Sequence, residues 1–226
     1  MTPILRPIFV LFVVAISSAR GDLTILQEIS SPESAKSAMV TTTKFKPGKL
    51  RMDIPGSASL IMDGNKGEMV SLIHAQKVAI PMSSAMQKMA AQLAGKAGSD
   101  TSGSVELQPT SRKETMIGLA CEEYTGTISG QKATVWITKD VPEYKEISGQ
   151  FLSFAPQLSQ YQGSIASNPA MQGFPLLTEL TAPDGKKTTI RVQAISREAI
   201  SDADFKVPVG YRAMEIPKIP GMPAGR

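Results

Sequence analysis

Lys46-Pro47-Gly48-Lys49-Leu50-Arg51-Met52-Asp53-Ile54 sets the pattern for the whole chain. Pro47-Gly48 supplies turn chemistry, and beyond it Leu50, Met52 and Ile54 alternate with Arg51 and Asp53. A period of two belongs to a strand with one face on a core and the other toward water. Before the turn, the run from Met39 to Phe45 is rich in Thr and Val, so the two segments read as a hairpin.

The same alternation of short strand and turn extends in both directions. Leu23, Ile25 and Ile29 alternate with Thr24 and Glu28, although Leu26 interrupts the polar face. Ser59 to Asp63 leads into the hairpin turn Asp63-Gly64-Asn65-Lys66-Gly67. Glu68 to His74 and Lys77 to Ile80 continue across a break at Ala75-Gln76. Strand signals return at Val105 to Glu114, where Pro109 points to an edge or an irregular segment. Ala120 to Ser129 and Lys132 to Lys139 form a hairpin across Gly130-Gln131, and Phe174 to Thr181 pairs with Lys186 to Ser196 across Ala182-Pro183-Asp184-Gly185. A short turn is expected at Ser201 to Phe205. Loops this short require antiparallel pairing, because parallel strands need long crossovers.

Two stretches change the period to that of a helix. Met82, Met86, Met89, Ala90 and Leu93 fall three or four apart around Ser83 to Gly95, with Ser83 or Ser84 available as a cap. Tyr144, Ile147, Phe151, Phe154, Leu158 and Tyr161 do the same from about Pro142 to Gln160, with Gly149 and Pro156 expected to bend or break the helix. Ten or eleven antiparallel strands should curl rather than stay flat. The fold class is therefore mainly β (α+β): a curled antiparallel sheet whose concave face is covered by these helices, enclosing either a filled core or a cavity.

Residues 1–21 carry a basic start at Arg6, an apolar run from Ile8 to Ile16, and Ala19 and Gly21 ahead of Asp22. This is the pattern of a cleaved secretory signal peptide, which implies a periplasmic or otherwise extracytoplasmic protein. Residues 22–212 then form one domain, and residues 213–226 a Pro-rich flexible tail. Net charge is +4, falling to about +2 without Arg6 and Arg20, and the lysines are dispersed, so no nucleic-acid partner is expected. Cys121 is the single cysteine and excludes an intrachain disulfide.

Several local words resemble a family of exported bacterial proteins of unknown function, the DUF4412 group. They are Ile61-Met62-Asp63-Gly64-Asn65-Lys66-Gly67, Leu72-Ile73-His74-Ala75-Gln76-Lys77, Ile117-Gly118-Leu119-Ala120-Cys121-Glu122-Glu123-Tyr124, Val135-Trp136-Ile137-Thr138-Lys139-Asp140, Gly173-Phe174-Pro175-Leu176 and Asp204-Phe205-Lys206-Val207-Pro208-Val209-Gly210-Tyr211. The order of elements also resembles the LolA/LolB-like fold, which implies an incomplete β-barrel closed by a helical lid.

Residues able to carry chemistry have ordinary roles open to them. His74, the single histidine, ends a strand beside a turn and lacks metal-ligand spacing to Asp63 or Glu68. Glu122 and Glu123 beside Cys121 disfavour a thiolate. Neither a G-x-S-x-G elbow nor a phosphate loop is present, so no enzyme, metal or cofactor is expected. Trp136, between Thr134 and Thr138 on its strand face, is expected at a rim.

The functional expectation rests on apolar surface. Met82, Met86, Met89 and Leu93, with Phe151, Phe154 and Leu158, either fill the core or line a hydrophobic site. On the second reading the protein is a binding protein for a lipid or lipoprotein acyl chain. The alternative is a protein-interaction or envelope-stress sensor module, with an envelope protein as partner and no small-molecule ligand. A hydrolase with an unrecognised site is the third option.

Overall fold

The computed structural model describes residues 21–32, 38–82, 105–154 and 172–214, and side chains in the helix up to Gly149. Within these residues twelve strands form one sheet. They are β1 (Leu23–Ser30), β2 (Met39–Lys46), β3 (Lys49–Ile54), β4 (Ala58–Asp63), β5 (Glu68–Ile73), β6 (Val78–Met82), β7 (Val105–Met116), β8 (Leu119–Ile128), β9 (Gln131–Thr138), β10 (Phe174–Thr181), β11 (Lys187–Ser196) and β12 (Arg212–Ala213). Their order is β12-β6-β5-β4-β3-β2-β1-β11-β10-β9-β8-β7. Two antiparallel meanders are therefore joined where β1 pairs with β11. The sheet is open, with β7 at one end and β12 at the other.

Helix is scarce. An α-helix, α1 (Tyr144–Phe154), and a 3-10 turn at Asp202–Phe205 interrupt the strands. Gly149 does not break α1, which runs through it; the glycine faces open space and costs only propensity. The Met86–Leu93 stripe and Leu158 lie outside the described residues, as do most of residues 1–21 and the tail from 215. No helix of the described residues is long and apolar enough to cross a membrane.

The strand pattern read around Leu50 is present. Thr43, Met52 and Leu60 stand in one cross-strand row and Phe45, Leu50, Met62 and Met69 in the next. Leu50, Met62 and Met69 are buried together, with Met52, Leu60 and Met82 against them. Met82 therefore closes β6 and packs with a strand cluster, not on the face of a helix, while residues 83–95 lie outside the described residues. The largest cluster joins Leu23, Ile25 and Phe45 to Trp136, Phe174 and Val192, and Val141 and Ile147 from the α1 region complete it. Tyr144 meets Phe174 edge to face, with ring centroids 5.6 Å apart.

Two irregularities have sequence causes. Leu26, the residue that broke the alternation of β1, sits where the β1–β11 register shifts. Pro109 opens a wider break in the edge strand, so that Thr110, Ser111 and Arg112 lie between Pro109, opposite Tyr124, and Lys113, opposite Glu122. β12 was not expected. It is two residues long and pairs parallel with β6, through Arg212 N donating to Lys77 O (2.9 Å) and Met214 N to Ala79 O (2.8 Å).

Candidate functional site

The β7–β8 hairpin gathers most of the unusual features. Its turn is Ile117-Gly118, and both residues have positive φ, 46° and 81°. A left-handed backbone suits the glycine but crowds a β-branched side chain, at a cost of about 1–2 kcal/mol. Ile117 is also 44% exposed. It stands over a groove of about 410 Å³ lined by Leu119, Gln193, Ala194, Ile195 and Arg197, between the hairpin and the end of β11. Arg197 holds Glu143 at 2.9 Å and Asp140 O at 3.2 Å, which ties this end of β11 to the start of α1. That guanidinium keeps the Glu143 carboxyl below the usual carboxylate range.

A second cleft, of about 470 Å³, is lined by other residues of the hairpin and of β9. Ala120, Cys121 and Ile137 form its apolar part, and Lys113, Glu114, Glu122, Lys139 and Asp140 surround it. Both lysines are engaged by Glu122, at 3.1 and 3.4 Å, so the cleft offers no free cation from this set to an anionic ligand. Burial pushes the Cys121 thiol above its ordinary value, and its Sγ–H donates to Leu119 O at 3.4 Å. A thiol in that setting is protonated and shielded, the opposite of an activated nucleophile.

Glu123, on the Cys121 face of β8, is buried. Thr110 Oγ1 and Arg112 Nη1 each donate to it at 2.8 Å across the break in β7. Arg112 lies 5.3 Å from the centre of the Trp136 ring, a cation–π contact. Trp136 is 4% exposed and belongs to the main core. The rim position expected for it is thus corrected. Its threonine neighbours face Thr125 and Cys121 across the ladder, while the indole is covered by the edge-strand arginine.

His74, Ser59 and Asp53 also meet, but in an order unsuited to catalysis. Ser59 Oγ lies 2.8 Å from His74 Nε2 and donates to Asp53, while Tyr211 Oη bonds His74 Nδ1. Arg51 Nε donates to both oxygens of Asp53. In a nucleophilic triad the imidazole lies between hydroxyl and carboxylate. Here the hydroxyl lies between them and is 2% exposed, out of reach of a substrate. Among the described residues no cluster of three His, Cys, Asp or Glu could hold a metal ion.

Of the residues singled out from sequence, Met82 is placed in a strand cluster, and Phe151 and Phe154 fall within α1. Met86, Met89, Leu93 and Leu158 lie outside the described residues. The hairpin groove was missed. The signal was available in the two-residue Ile117-Gly118 link between strand runs, but isoleucine at the first turn position argues against that turn type.

The fold and this end of it define an open-sheet, mainly β protein with a groove of mixed apolar and polar lining beside a strained hairpin. The chain belongs to the DUF4412 family, a domain of unknown function, whose model matches residues 24–211. No curated protein matches the sequence. Among solved structures, PNGF-II in its C2 and P21 space groups aligns over 87% of this chain at 12% and 13% identity, with TM-scores of 0.42 and 0.43. The chain spans only 31% and 32% of those PNGF-II chains. A LolA superfamily protein from Nitrosomonas europaea aligns over 82% of this chain and 89% of its own, at 10% identity and a TM-score of 0.29.

Proposed function

We propose that the protein is an exported, non-enzymatic binding protein that accommodates a lipid acyl chain or similar apolar group at the β7–β8 hairpin end of its sheet. Ile117 carries this reading. It pays backbone strain to hold an apolar side chain in water, at the rim of a groove with Leu119, Ala194 and Ile195 in its walls. A ligand covering it offsets the exposure, by roughly 1.5–3 kcal/mol for one such side chain. The groove volume falls within the range that takes small ligands, roughly 300–1,000 Å³. Export is supported by the charged, apolar and small-residue order of residues 1–22. The non-catalytic reading is supported by the shielded thiol of Cys121 and the buried hydroxyl of Ser59.

Native mass spectrometry of protein recovered from its own envelope should retain an apolar ligand. After delipidation, a fluorescent acyl probe should bind the wild type and bind Ile117→Gly about tenfold more weakly, with the variant at least as stable. Delipidated wild type that takes up no probe, or Ile117→Gly with unchanged affinity, overturns the reading. A co-purifying protein in place of lipid would favour the interaction-module alternative.

A further inference from the structure

We propose that the turn Pro208-Val209-Gly210-Tyr211, together with Val207 just before it, docks on the surface of an anionic lipid bilayer. Tyr211 N donates to Pro208 O at 3.4 Å, which makes Val209 and Gly210 the central pair of a β-turn. Gly210, at φ 89°, supplies the left-handed conformation a type II turn needs at its third residue. The corner position goes to Val209, which is fully exposed, and Val207 is exposed beside it. Val209 gains no cover from the described residues, and Val207 is partly covered.

The tip is held rigidly from both sides. Phe205 before it and Tyr211 after it pack against the buried cluster of Ile61, Leu72 and Ala79. Tyr211 is fixed further by its hydrogen bond to His74. A projection anchored in this way loses little conformational freedom on binding, so the gain from burying its valines is not spent on ordering.

Charge selects the occupant. Lys206 and Arg212 flank the turn, and the backbone bond from Arg212 N to Lys77 O brings Lys77 alongside. All three residues are exposed, and no acid lies between Lys206 and Met214. The acids just before them are engaged, Asp204 by Lys44 at 2.9 Å and Asp202 by Lys49 at 3.2 Å. An apolar tip with cationic residues on both sides of it in the chain matches the boundary between anionic headgroups and acyl chains, where both signals act together. Each buried valine is worth roughly tenfold in partitioning. Each cation near an anionic surface adds about fivefold.

The test is co-sedimentation of the exported protein with vesicles of phosphatidylcholine, alone or with one third phosphatidylglycerol, at low and high salt. Wild type should bind the anionic vesicles and be released by salt. Val209→Ser should weaken binding about tenfold, and Lys206→Gln with Arg212→Gln about fivefold per cation. Melting temperatures should not move, since these side chains are exposed. Absence of binding to anionic vesicles, or equal binding by Val209→Ser, overturns the proposal. So does a requirement for Val209 in capturing an envelope protein without vesicle binding. The acyl-probe affinity of Val209→Ser should equal that of wild type, which separates failure here from failure of the groove reading.

Discussion

Tyr211 bonds the imidazole of His74 from 137 residues away in the chain, and so fastens the C-terminal segment to the turn between β5 and β6. One arrangement satisfies every group in line. Tyr211 donates to Nδ1, Nε2–H donates to Ser59, and Ser59 donates to an Asp53 already held by Arg51. Tyr211→Phe keeps the ring packing but leaves Nδ1 without its donor. It should lower stability by about 1 kcal/mol. Amide hydrogen exchange should speed up from Phe205 to Met214 more than elsewhere. Uniform acceleration across the sheet would show that the bond does not fasten this segment in particular.

The same segment should loosen in acid. Lys44 holds the Asp204 carboxyl below its ordinary range, and Lys49 and Lys46 do the same for Asp202. A lowered folded value means stability that is present above the ordinary aspartate pKa, near about 3.9, and lost as pH falls through the folded value. Proteolysis near Ile200 to Tyr211 should rise below about pH 4, and Asp204→Asn should show less of that rise. Identical acid profiles for variant and wild type would remove Asp204 from the account.

Cys121 should resist thiol reagents in the native state. Its raised pKa comes first from burial, so modification must await opening of the β7–β8 hairpin. Because the folded value is raised, the contribution to stability is complete below the ordinary thiol pKa and lost as pH climbs through the folded one. Rapid labelling at pH 8 without denaturant would contradict the burial. Cys121→Ser should cost about 1–3 kcal/mol, because it places a hydroxyl in a site built for sulfur.

Gly126 leaves no room for a side chain between β8 and β7. A Cβ there would fall 1.8 Å from Glu106 O, a backbone atom that cannot step aside. Gly126→Ala should therefore cost about 2–4 kcal/mol in urea denaturation and free the edge strand for proteolysis. A loss under about 0.5 kcal/mol would mean that the two strands separate easily at this point.

Much of the sheet could be read locally, because side-chain alternation and turn residues are nearest-neighbour signals. Leu50, Met52 and Ile54 marked β3, Leu26 marked the irregularity in β1, and Pro109 marked the break in β7. What could not be read depends on partners far apart in the chain. β12 is too short for periodicity, and it pairs because Tyr211 and Phe205 are already anchored. Trp136 looked marginal among threonines because the arginine that covers it comes from another strand. For the candidate site, the strain at Ile117 appears only once the hairpin fixes its backbone.

The seam between β1 and β11 has a kinetic consequence. Thr24 lies opposite Ser196 and Glu28 opposite Arg191, so β1 waits for a strand made more than 150 residues later before its second edge is paired. Until then Leu23 and Ile25 lack Val192, their companion in the core. Pairing over such a sequence distance is slow, and a raw strand edge is open to wrong partners meanwhile. Each new molecule must therefore pass through an interval of vulnerability that only its own C-terminal hairpin can end.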